Sequence, residues 1–208
     1  MGFKKYQVSQ SRKPTGIMGK ILGKFMNKKN GEMNEATIQY LGIEEQDYVL
    51  EIGFGNGKYI AEIIEKVKDT RVFGLDFSET MVQSATKRNK AFIEQGRVQI
   101  KRGNIEKIPF DDRMFDKIFT VNTIYFWSDR RQALREIKRV LKPGGKLAIG
   151  FRSKTVLSQW TSEDYGFSFN IPEGEEVKSL LENEGYSNIR IEQPKNQSMD
   201  FYCAVAVH

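Results

Sequence analysis

Cysteine and histidine are almost absent from this 208-residue chain, which holds one of each, Cys203 and His208. A lone cysteine cannot close a disulfide within the chain, and a zinc site built from cysteine and histidine needs several such ligands. The acidic residues show no spacing that suggests a site for another metal. We therefore expect a protein of a reducing compartment, the cytoplasm, without a metal site.

Long apolar runs are also missing. No stretch reaches the roughly 20 uninterrupted apolar residues of a membrane span, and lysines break the one early apolar patch, unlike the core of a signal peptide. Tyr6 stands where an N-myristoylation motif requires serine or threonine. The sequence therefore predicts no membrane span and no lipid anchor. With 39% hydrophobic and 29% charged residues, the length suits one globular domain with a sizeable core.

Acidic residues are missing from the first 30 positions, which carry eight lysines and arginines. The net charge is +6, so the remaining residues, with 25 basic and 27 acidic side chains, are nearly neutral. Apolar residues from Ile17 to Met26 recur at helical spacing with lysines opposite, which predicts a basic amphipathic helix. Residues 15–29 could contact an anionic lipid surface or a nucleic acid. We favour packing against the rest of the protein, because helices with one apolar face are usually docked.

From residue 47 onward, short apolar runs alternate with helical patterns. The candidate strands are 48–52, 71–75, 97–101, 116–121, 146–151, 188–193 and 201–207, and the candidate helices are 57–68, 78–95, 128–141 and 172–185. Strict alternation implies right-handed crossovers and a parallel sheet, whereas the short polar link before the last strand implies that this strand is antiparallel. We expect a doubly wound α/β fold with a mostly parallel seven-stranded sheet and helices on both faces. Residues 1–43 form its N-terminal helical segment, and residues 44–208 its main domain.

Helix ends can be predicted from single residues. Ser128 is a candidate N-cap for the helix that ends before the KPGG sequence, because its hydroxyl can accept from a backbone N–H of the first turn. Pro172 is predicted at the first position of the last helix, where its missing N–H costs nothing. Gly185 is predicted to end that helix.

The most informative stretch is VLEIGFGNGKYI at 49–60, in which three glycines follow a candidate strand. Glycine lets the backbone turn sharply and lets a ligand approach, so this loop suits either a dinucleotide or a different adenosine-containing ligand. A dinucleotide motif requires a further glycine where this chain has Lys58. Glu51, just before the glycines, suits a ligand with an ammonium group and disfavours one with phosphates.

Five motifs occur in a defined order: the glycine stretch, VFGLDFSETM, VQIKRGNIEKIPFDDRMFDKIF, VNTIYFW and LKPGGKLAIG. Through them, residues 47–151 resemble the class I S-adenosylmethionine-dependent methyltransferases, closest to the type 11 group. The resemblance implies a seven-stranded sheet with its last strand inserted antiparallel. It also implies S-adenosylmethionine as cofactor and S-adenosylhomocysteine as product. S-adenosylmethionine carries an ammonium and a sulfonium but no phosphate, which agrees with Glu51.

The resemblance implies a set of cofactor-binding residues. They are Glu51, Gly53, Gly55, Asp76, Phe77, Met81, Asn104, Ile105 and Asn122. Asp76, at the end of the second strand, would accept hydrogen bonds from both ribose hydroxyls. Phe77 and Met81 would flank the adenine, although each could equally be an ordinary core residue. Similar proteins usually have aspartate at the position of Asn104, whose amide oxygen can still accept from the adenine amino group.

The other residues of the set would meet the two ends of the cofactor. Ile105 would offer its backbone amide to the adenine ring, and the backbone carbonyl of Asn122 would accept from the ammonium. Gly53 and Gly55 would face the methionine part.

The implied reaction is an in-line displacement at the sulfonium methyl, which is already activated by its charge. The protein mainly aligns the reactants and excludes water, an effect that can supply several of the roughly 7 to 11 kcal/mol available from positioning. With no histidine before position 208, a general base would be a carboxylate, a tyrosine or water. Asp111 and Asp112 look like a carboxylate pair, but they lie in a turn before the fourth strand, and we expect them to be structural.

Aromatic residues in two regions are candidates for the acceptor pocket: Tyr125 and Trp127 after the fourth strand, and Trp160 and Tyr165 before the last long helix. They suit a flat or lipophilic acceptor, although aromatic residues fill cores just as often. We expect a small-molecule or lipid-like acceptor. Two alternatives stay open: an RNA or DNA methyltransferase that uses the basic N-terminal helix, and a catalytically silent cofactor-binding regulatory protein. We also expect residues 14–34 to cover the cofactor as a lid.

Overall fold

The structure is a computed structural model that describes residues 30–153, 172–194 and 201–208. Its strands are β1 (Tyr48–Ile52), β2 (Arg71–Asp76), β3 (Val98–Arg102), β4 (Phe115–Val121), β5 (Leu141–Arg152), β6 (Ser187–Glu192) and β7 (Phe201–Val207). Its helices are α1 (Gly31–Leu41), α2 (Lys58–Lys66), α3 (Glu79–Arg88), α4 (Lys90–Glu94), α5 (Arg130–Val140) and α6 (Gly174–Asn183), and a 3-10 turn covers Ile124–Phe126.

The seven described strands form one sheet in the order β3-β2-β1-β4-β5-β7-β6. Neighbours from β3 to β5 are parallel, whereas β7 is antiparallel to both β5 and β6. The predicted fold class is therefore confirmed, with the last strand inserted between β5 and β6. None of the helices in the described ranges has the length and apolar character needed to cross a membrane.

The core lies on both faces of the sheet, as the alternation of side chains along β1 requires. Leu50 packs into a cluster with residues of α5 and α6, such as Ile137 and Leu181. Val49 packs on the other face, with Leu41 and with residues of α2 and α3. Helices thus cover both faces, which leaves the carboxyl ends of the parallel strands as the open edge where doubly wound folds bind ligands.

Two predicted helix bounds are wrong for identifiable reasons. The pattern at 78–95 predicted one helix, but the structure has α3 and α4, separated at Asn89. The buried Asn89 side chain donates from Nδ2 to the carbonyl of Gly57 at 3.0 Å and of Ala85 at 2.9 Å, so it ties the helix end to the glycine loop. Pro172 lies before the last helix, because α6 begins at Gly174 with a capping box between Glu173 and Glu176.

The N-cap of α5 also differs from the prediction, because it is Asp129 and not Ser128. The Oδ1 atom of Asp129 accepts from the backbone N–H of Gln132 at 3.0 Å. We expect Asp129→Ala to lower the free energy of unfolding by about 1 kcal/mol, the usual loss for a removed N-cap. Chemical denaturation of this variant beside Ser128→Ala, which should change stability by less than about 0.5 kcal/mol, checks the assignment. Equal losses in both variants would contradict it.

Candidate functional site

A cavity of about 290 Å³ opens at the carboxyl ends of β1, β2 and β4. The chain runs from β1 to β2 and β3 on one side of the sheet, and β4 and β5 lie on the other side, so the cavity lies at the point where the strand order reverses. Side chains or backbone of the whole predicted cofactor-binding set line it, namely Glu51, Gly53, Gly55, Asp76, Phe77, Met81, Asn104, Ile105 and Asn122. The fold therefore brings together residues that span about seventy positions of sequence.

The glycine loop after β1 is held in left-handed conformations that favour glycine. Gly53, Gly55 and Gly57 have φ angles of 76°, 56° and 70°. Gly53 also needs its small size, because a Cβ there would lie 2.4 Å from Cγ2 of Thr123. A Cβ on Gly57 would lie 2.7 Å from Cβ of Ala85 in α3. The loop thus lies between α3 and the segment that follows β4, and Gly53 and Gly55 line the cavity.

Asp76 at the end of β2 bridges the two loops that border the cavity. Its Oδ2 accepts from the backbone N–H of Gly55 at 3.1 Å, and its Oδ1 accepts from that of Ser78 at 2.8 Å. Only 7% of the residue is exposed. Burial raises the pKa of Asp76 to about 6, although hydrogen bonds from the backbone oppose the shift. A carboxyl group fixed in this way is positioned before any ligand arrives.

Glu51 in β1 carries a buried carboxyl oxygen that has no hydrogen-bond partner. The residue is 4% exposed, and its Oε2 atom has no hydrogen-bond partner. Burial, and secondly the charge of Asp76, raise the pKa of Glu51 well above its usual value. Burying an ionised carboxyl group without a partner destabilises the folded chain, so Glu51 must either be protonated or pair with a cation.

The cavity as a whole carries charge of one sign. Among its described lining residues, Glu51, Asp76 and Glu106 are acidic, and none is a lysine, arginine or histidine. Such a lining suits a cationic ligand and opposes a pyrophosphate. The glycines, Asp76 and the unpaired Glu51 therefore fit S-adenosylmethionine, with its ammonium and sulfonium, better than they fit a dinucleotide.

The opposite end of the cavity is mostly apolar. Phe77 is 39% exposed, unusual for a large apolar side chain, whereas Met81 is buried and belongs to the core as well as to the cavity wall. Asn104 is exposed, and its Oδ1 accepts from the backbone N–H of Glu106 at 3.1 Å. A carbonyl oxygen has two lone pairs, so this bond leaves one for a ligand. Ile105 is buried beside it.

After β4, the backbone of Asn122 takes a left-handed conformation with φ 57°. Its N–H donates to the carbonyl of Gly150 at 2.8 Å, and its Oδ1 accepts from the hydroxyl of Tyr125 at 3.3 Å. Thr123 follows, and its Oγ1 accepts from Nε1 of Trp127 at 3.1 Å. This bond fixes the orientation of the Trp127 ring at the cavity wall.

The structure separates the four predicted acceptor-pocket residues. Trp127 lines the cavity, together with its neighbour Phe126. Tyr125 is not among the described lining residues, and its hydroxyl accepts from the backbone N–H of Arg152. Burial raises the pKa of Tyr125 above its usual value. Trp160 and Tyr165 lie outside the described residues.

Several further lining residues were missed from the sequence, among them Tyr59, Glu106 and Thr123, whereas the lining residues Asn30 and Asn34 fall within the predicted lid segment 14–34. Asn34 lies in α1 and donates from Nδ2 to the carbonyl of Asn30 at 2.8 Å. Tyr59 lies in the first turn of α2, and the sequence places it next to the glycine loop, which is the one signal that could have marked it. Within the described ranges, no group of three or more acidic, cysteine or histidine side chains could hold a metal ion.

Comparison with known proteins identifies sequence relatives. A family model described as a methyltransferase domain matches residues 50–149. An uncharacterized methyltransferase of Bacillus subtilis, YdaC, is 36% identical over 129 residues, covering 62% of this chain and 69% of YdaC. The erythromycin 3''-O-methyltransferase of Saccharopolyspora erythraea is 32% identical over 125 residues, with 60% and 41% coverage. The ubiquinone/menaquinone biosynthesis C-methyltransferase UbiE of Enterobacter sp. strain 638 is 29% identical over 152 residues, with 73% and 60% coverage. The chain therefore spans less than two thirds of the length of the last two.

Solved structures share the fold. A putative methyltransferase in complex with the Haloferax volcanii activator Trm112 superimposes with a TM-score of 0.76 at 21% identity, covering 89% of this chain and 92% of that chain. A SAM dependent methyltransferase from Aquifex aeolicus gives 0.64 at 26% identity, with 83% and 87% coverage.

Proposed function

Because this chain belongs to the class I S-adenosylmethionine-dependent methyltransferases of the type 11 group, we propose that it methylates a small-molecule or lipid-like acceptor beside the cavity at β1, β2 and β4. One observation supports this cavity as the site: the Oε2 atom of Glu51 is unpaired, and the charged residues in the described lining are all acidic. When bound, S-adenosylmethionine supplies an electrophilic methyl group on a sulfonium.

Each residue of the set then has a defined part. Glu51 and the backbone carbonyl of Asn122 would accept hydrogen bonds from the ammonium, and Gly53 and Gly55 would let the methionine part approach the backbone. Asp76 accepts from the ribose hydroxyls while its bonds to Gly55 and Ser78 hold the carboxyl group in place. The apolar end of the cavity, lined by Phe77, Met81, Asn104 and Ile105, would hold the adenine.

The chemical contribution of the chain is alignment and exclusion of water. The glycine loop and the loop after β4 would hold the methyl donor in position, and the Trp127 ring, fixed by its hydrogen bond to Thr123, borders the same cavity. Positioning of this kind can supply several of the roughly 7 to 11 kcal/mol by which alignment lowers a barrier.

Two observations support a small lipophilic acceptor. Phe126 and Trp127 present aromatic surface to the cavity. Relatives by sequence include an erythromycin O-methyltransferase and a C-methyltransferase of ubiquinone and menaquinone biosynthesis, names that indicate small-molecule acceptors for those proteins. Trp160 and Tyr165 stay in the proposal as pocket residues, whereas Phe126 takes the place of Tyr125, which is not among the described lining residues.

A nucleic-acid acceptor is the second candidate, because residues 1–30 hold eight basic and no acidic side chains. Residues 14–34, which overlap this basic segment, are proposed to form a lid over the cofactor, and the structure describes residues 30–34 of them. Asn30 and Asn34 line the cavity, which supports that placement. We keep the division between residues 1–43 and 44–208 as part of this proposal.

An acceptor screen that measures release of S-adenosylhomocysteine tests the function. Phenols, quinols, macrolides and lipids form one arm, and RNA and DNA oligonucleotides form the other. Both arms are run with the full chain and with a chain that lacks residues 1–29. Turnover on a small molecule is the expected result. Turnover on nucleic acid alone, lost at high salt and in the shortened chain, would overturn the acceptor class and favour the second candidate.

Affinity for S-adenosylhomocysteine is expected to fall about tenfold from pH 7.5 to pH 5, because the pKa of Asp76 is about 6 and only about a tenth of it stays ionised at pH 5. Protonation of Glu51 acts in the same direction. Both pKa values are raised by folding, so these groups stabilise the unliganded chain fully below their ordinary pKa. That contribution is lost as the pH rises through the pKa of each group in the folded chain, which is about 6 for Asp76. Calorimetric titrations with S-adenosylhomocysteine between pH 7.5 and pH 5 measure how the affinity changes with pH. An affinity independent of pH would show that neither carboxyl group contacts the ligand.

A further inference from the structure

Tyr59 carries the second unpaired polar atom of the cavity. The residue is 3% exposed, and its hydroxyl is buried without a hydrogen-bond partner. Like Glu51, whose Oε2 atom is also unpaired, it lines the cavity. A third unpaired atom in the described residues, Oδ1 of Asn89, lies on a side chain that already donates two hydrogen bonds beneath the glycine loop. The two unpaired groups of the cavity are therefore those of Glu51 and Tyr59.

A buried hydroxyl without a partner destabilises a folded chain, because water that it bonded in the unfolded state is lost without replacement. A phenylalanine would fill the same space of α2 without this cost. Another buried tyrosine has its partner: the hydroxyl of Tyr186 donates to the carbonyl of Leu134 at 2.8 Å. The described part of the fold thus supplies no partner for the Tyr59 hydroxyl, and a ligand in the cavity is a group that could pair with it.

We infer that Tyr59 is a cofactor-binding residue whose hydroxyl oxygen, together with the carboxylate of Glu51, accepts hydrogen bonds from the ammonium of S-adenosylmethionine. This inference rests on the proposed function of the cavity. It assigns to α2 a contact that neither the glycine loop nor the ends of the strands provide.

The charges near Tyr59 select the ammonium over the carboxylate of the same ligand. Besides burial, the negative charges of Glu62, Glu35 and Glu51 raise the pKa of the Tyr59 hydroxyl. A neighbouring cation, Nζ of Lys58, lies 4.8 Å from the centre of the Tyr59 ring and 3.3 Å from the carboxylate of Glu62. These acids outnumber the base, and such surroundings attract an ammonium and repel a carboxylate.

If the Tyr59 hydroxyl contacts the ligand, Tyr59→Phe should lower the affinity without lowering the melting temperature, a combination that a purely structural tyrosine would not give. Tyr59→Phe removes one unpaired atom, so the unliganded variant melts at the same temperature as the unaltered chain or at a higher one. Its affinity for S-adenosylhomocysteine falls about tenfold or more, because a hydrogen bond to a charged group is lost. Tyr186→Phe is the matched control: it loses a satisfied hydrogen bond, so it melts at a lower temperature and binds the ligand as before.

Calorimetric titration with three ligands tests the contact. S-adenosylhomocysteine has both the amine and the carboxylate, S-adenosyl-3-thiopropylamine lacks the carboxylate, and 5'-methylthioadenosine lacks both. Tyr59→Phe should weaken the first two equally and leave the third unchanged. An effect confined to S-adenosylhomocysteine would overturn the ammonium assignment, and an effect on all three would make Tyr59 merely structural.

The outcomes separate this inference from the proposed function. If the unaltered chain binds S-adenosylhomocysteine and Tyr59→Phe binds it equally well, the Tyr59 contact is wrong and the function stands. If the unaltered chain does not bind it, the function itself is wrong. Glu51→Gln, which keeps the shape of the side chain, should show the same ligand selectivity as Tyr59→Phe, and a loss that includes 5'-methylthioadenosine would contradict the shared ammonium site.

Discussion

Asp76→Ala is expected to weaken the binding of S-adenosylhomocysteine by about 100-fold or more, because hydrogen bonds from two ribose hydroxyls to a charged acceptor contribute about 1.5 to 3 kcal/mol each. The carboxyl group also holds the N–H of Gly55, so the glycine loop loses a fixed point. The free energy of unfolding should change by less than about 1.5 kcal/mol, since the lost hydrogen bonds are offset by removal of a buried carboxyl group. Calorimetry and denaturation measure the two effects separately.

Asp111→Ala is the control for Asp76→Ala. Asp111 is an exposed acid in the turn before β4, outside the described lining of the cavity, and it belongs to the carboxylate pair that we predicted to be structural. Its removal should leave the affinity unchanged. If Asp76→Ala is folded and binds within about threefold of the unaltered chain, Asp76 does not contact the ribose.

Gly53→Ala is expected to abolish measurable binding and to lower the free energy of unfolding by about 3 kcal/mol. The new Cβ would lie 2.4 Å from Cγ2 of Thr123, and the residue would keep a φ of 76°. Either the Thr123 side chain gives up its hydrogen bond with Trp127 or the carboxyl end of β1 moves, and both changes disturb the cavity wall next to Gly53. Denaturation and titration with S-adenosylhomocysteine check both effects.

Two variants separate crowding from backbone strain at Gly53. Gly96 has a φ of 70° and open space where a Cβ would lie, so Gly96→Ala should cost only about 1 kcal/mol and leave binding intact. Adding Thr123→Ser to Gly53→Ala removes the clashing methyl group and keeps the hydroxyl, and it should recover part of the lost stability. If Gly53→Ala behaves like Gly96→Ala, the close contact with Thr123 has no effect on the site.

The centre of the sheet could be predicted from the sequence because its central strands are buried on both faces. Runs such as Val49–Ile52 and Phe115–Val121 are largely apolar and end at glycine or at polar turns, and the alternation with helical patterns then restricts the order of the strands. The break at Asn89 and the N-cap at Asp129 could not be predicted in the same way. Asn89 ends α3 through a contact with Gly57, and that contact exists only in the folded chain.

The site was predictable where a residue follows a strand. Glu51, Asp76, Asn104 and Asn122 lie at or just beyond the carboxyl ends of parallel strands, and the sheet alone brings those ends together. Asn34 and Tyr59 lie on helices, and which side of α1 or α2 meets the cavity depends on packing. The position of Tyr125 shows the same limit, because a turn of the 3-10 segment places Phe126 at the cavity in its stead.

The central claim is that the acidic cavity binds a cationic, phosphate-free adenosine ligand. Calorimetric titration of the unaltered chain with S-adenosylmethionine and, separately, with NADH tests it most directly. We expect saturable one-to-one binding of S-adenosylmethionine and no heat from NADH beyond dilution. Binding of NADH at comparable affinity, or no binding of S-adenosylmethionine, would contradict the claim.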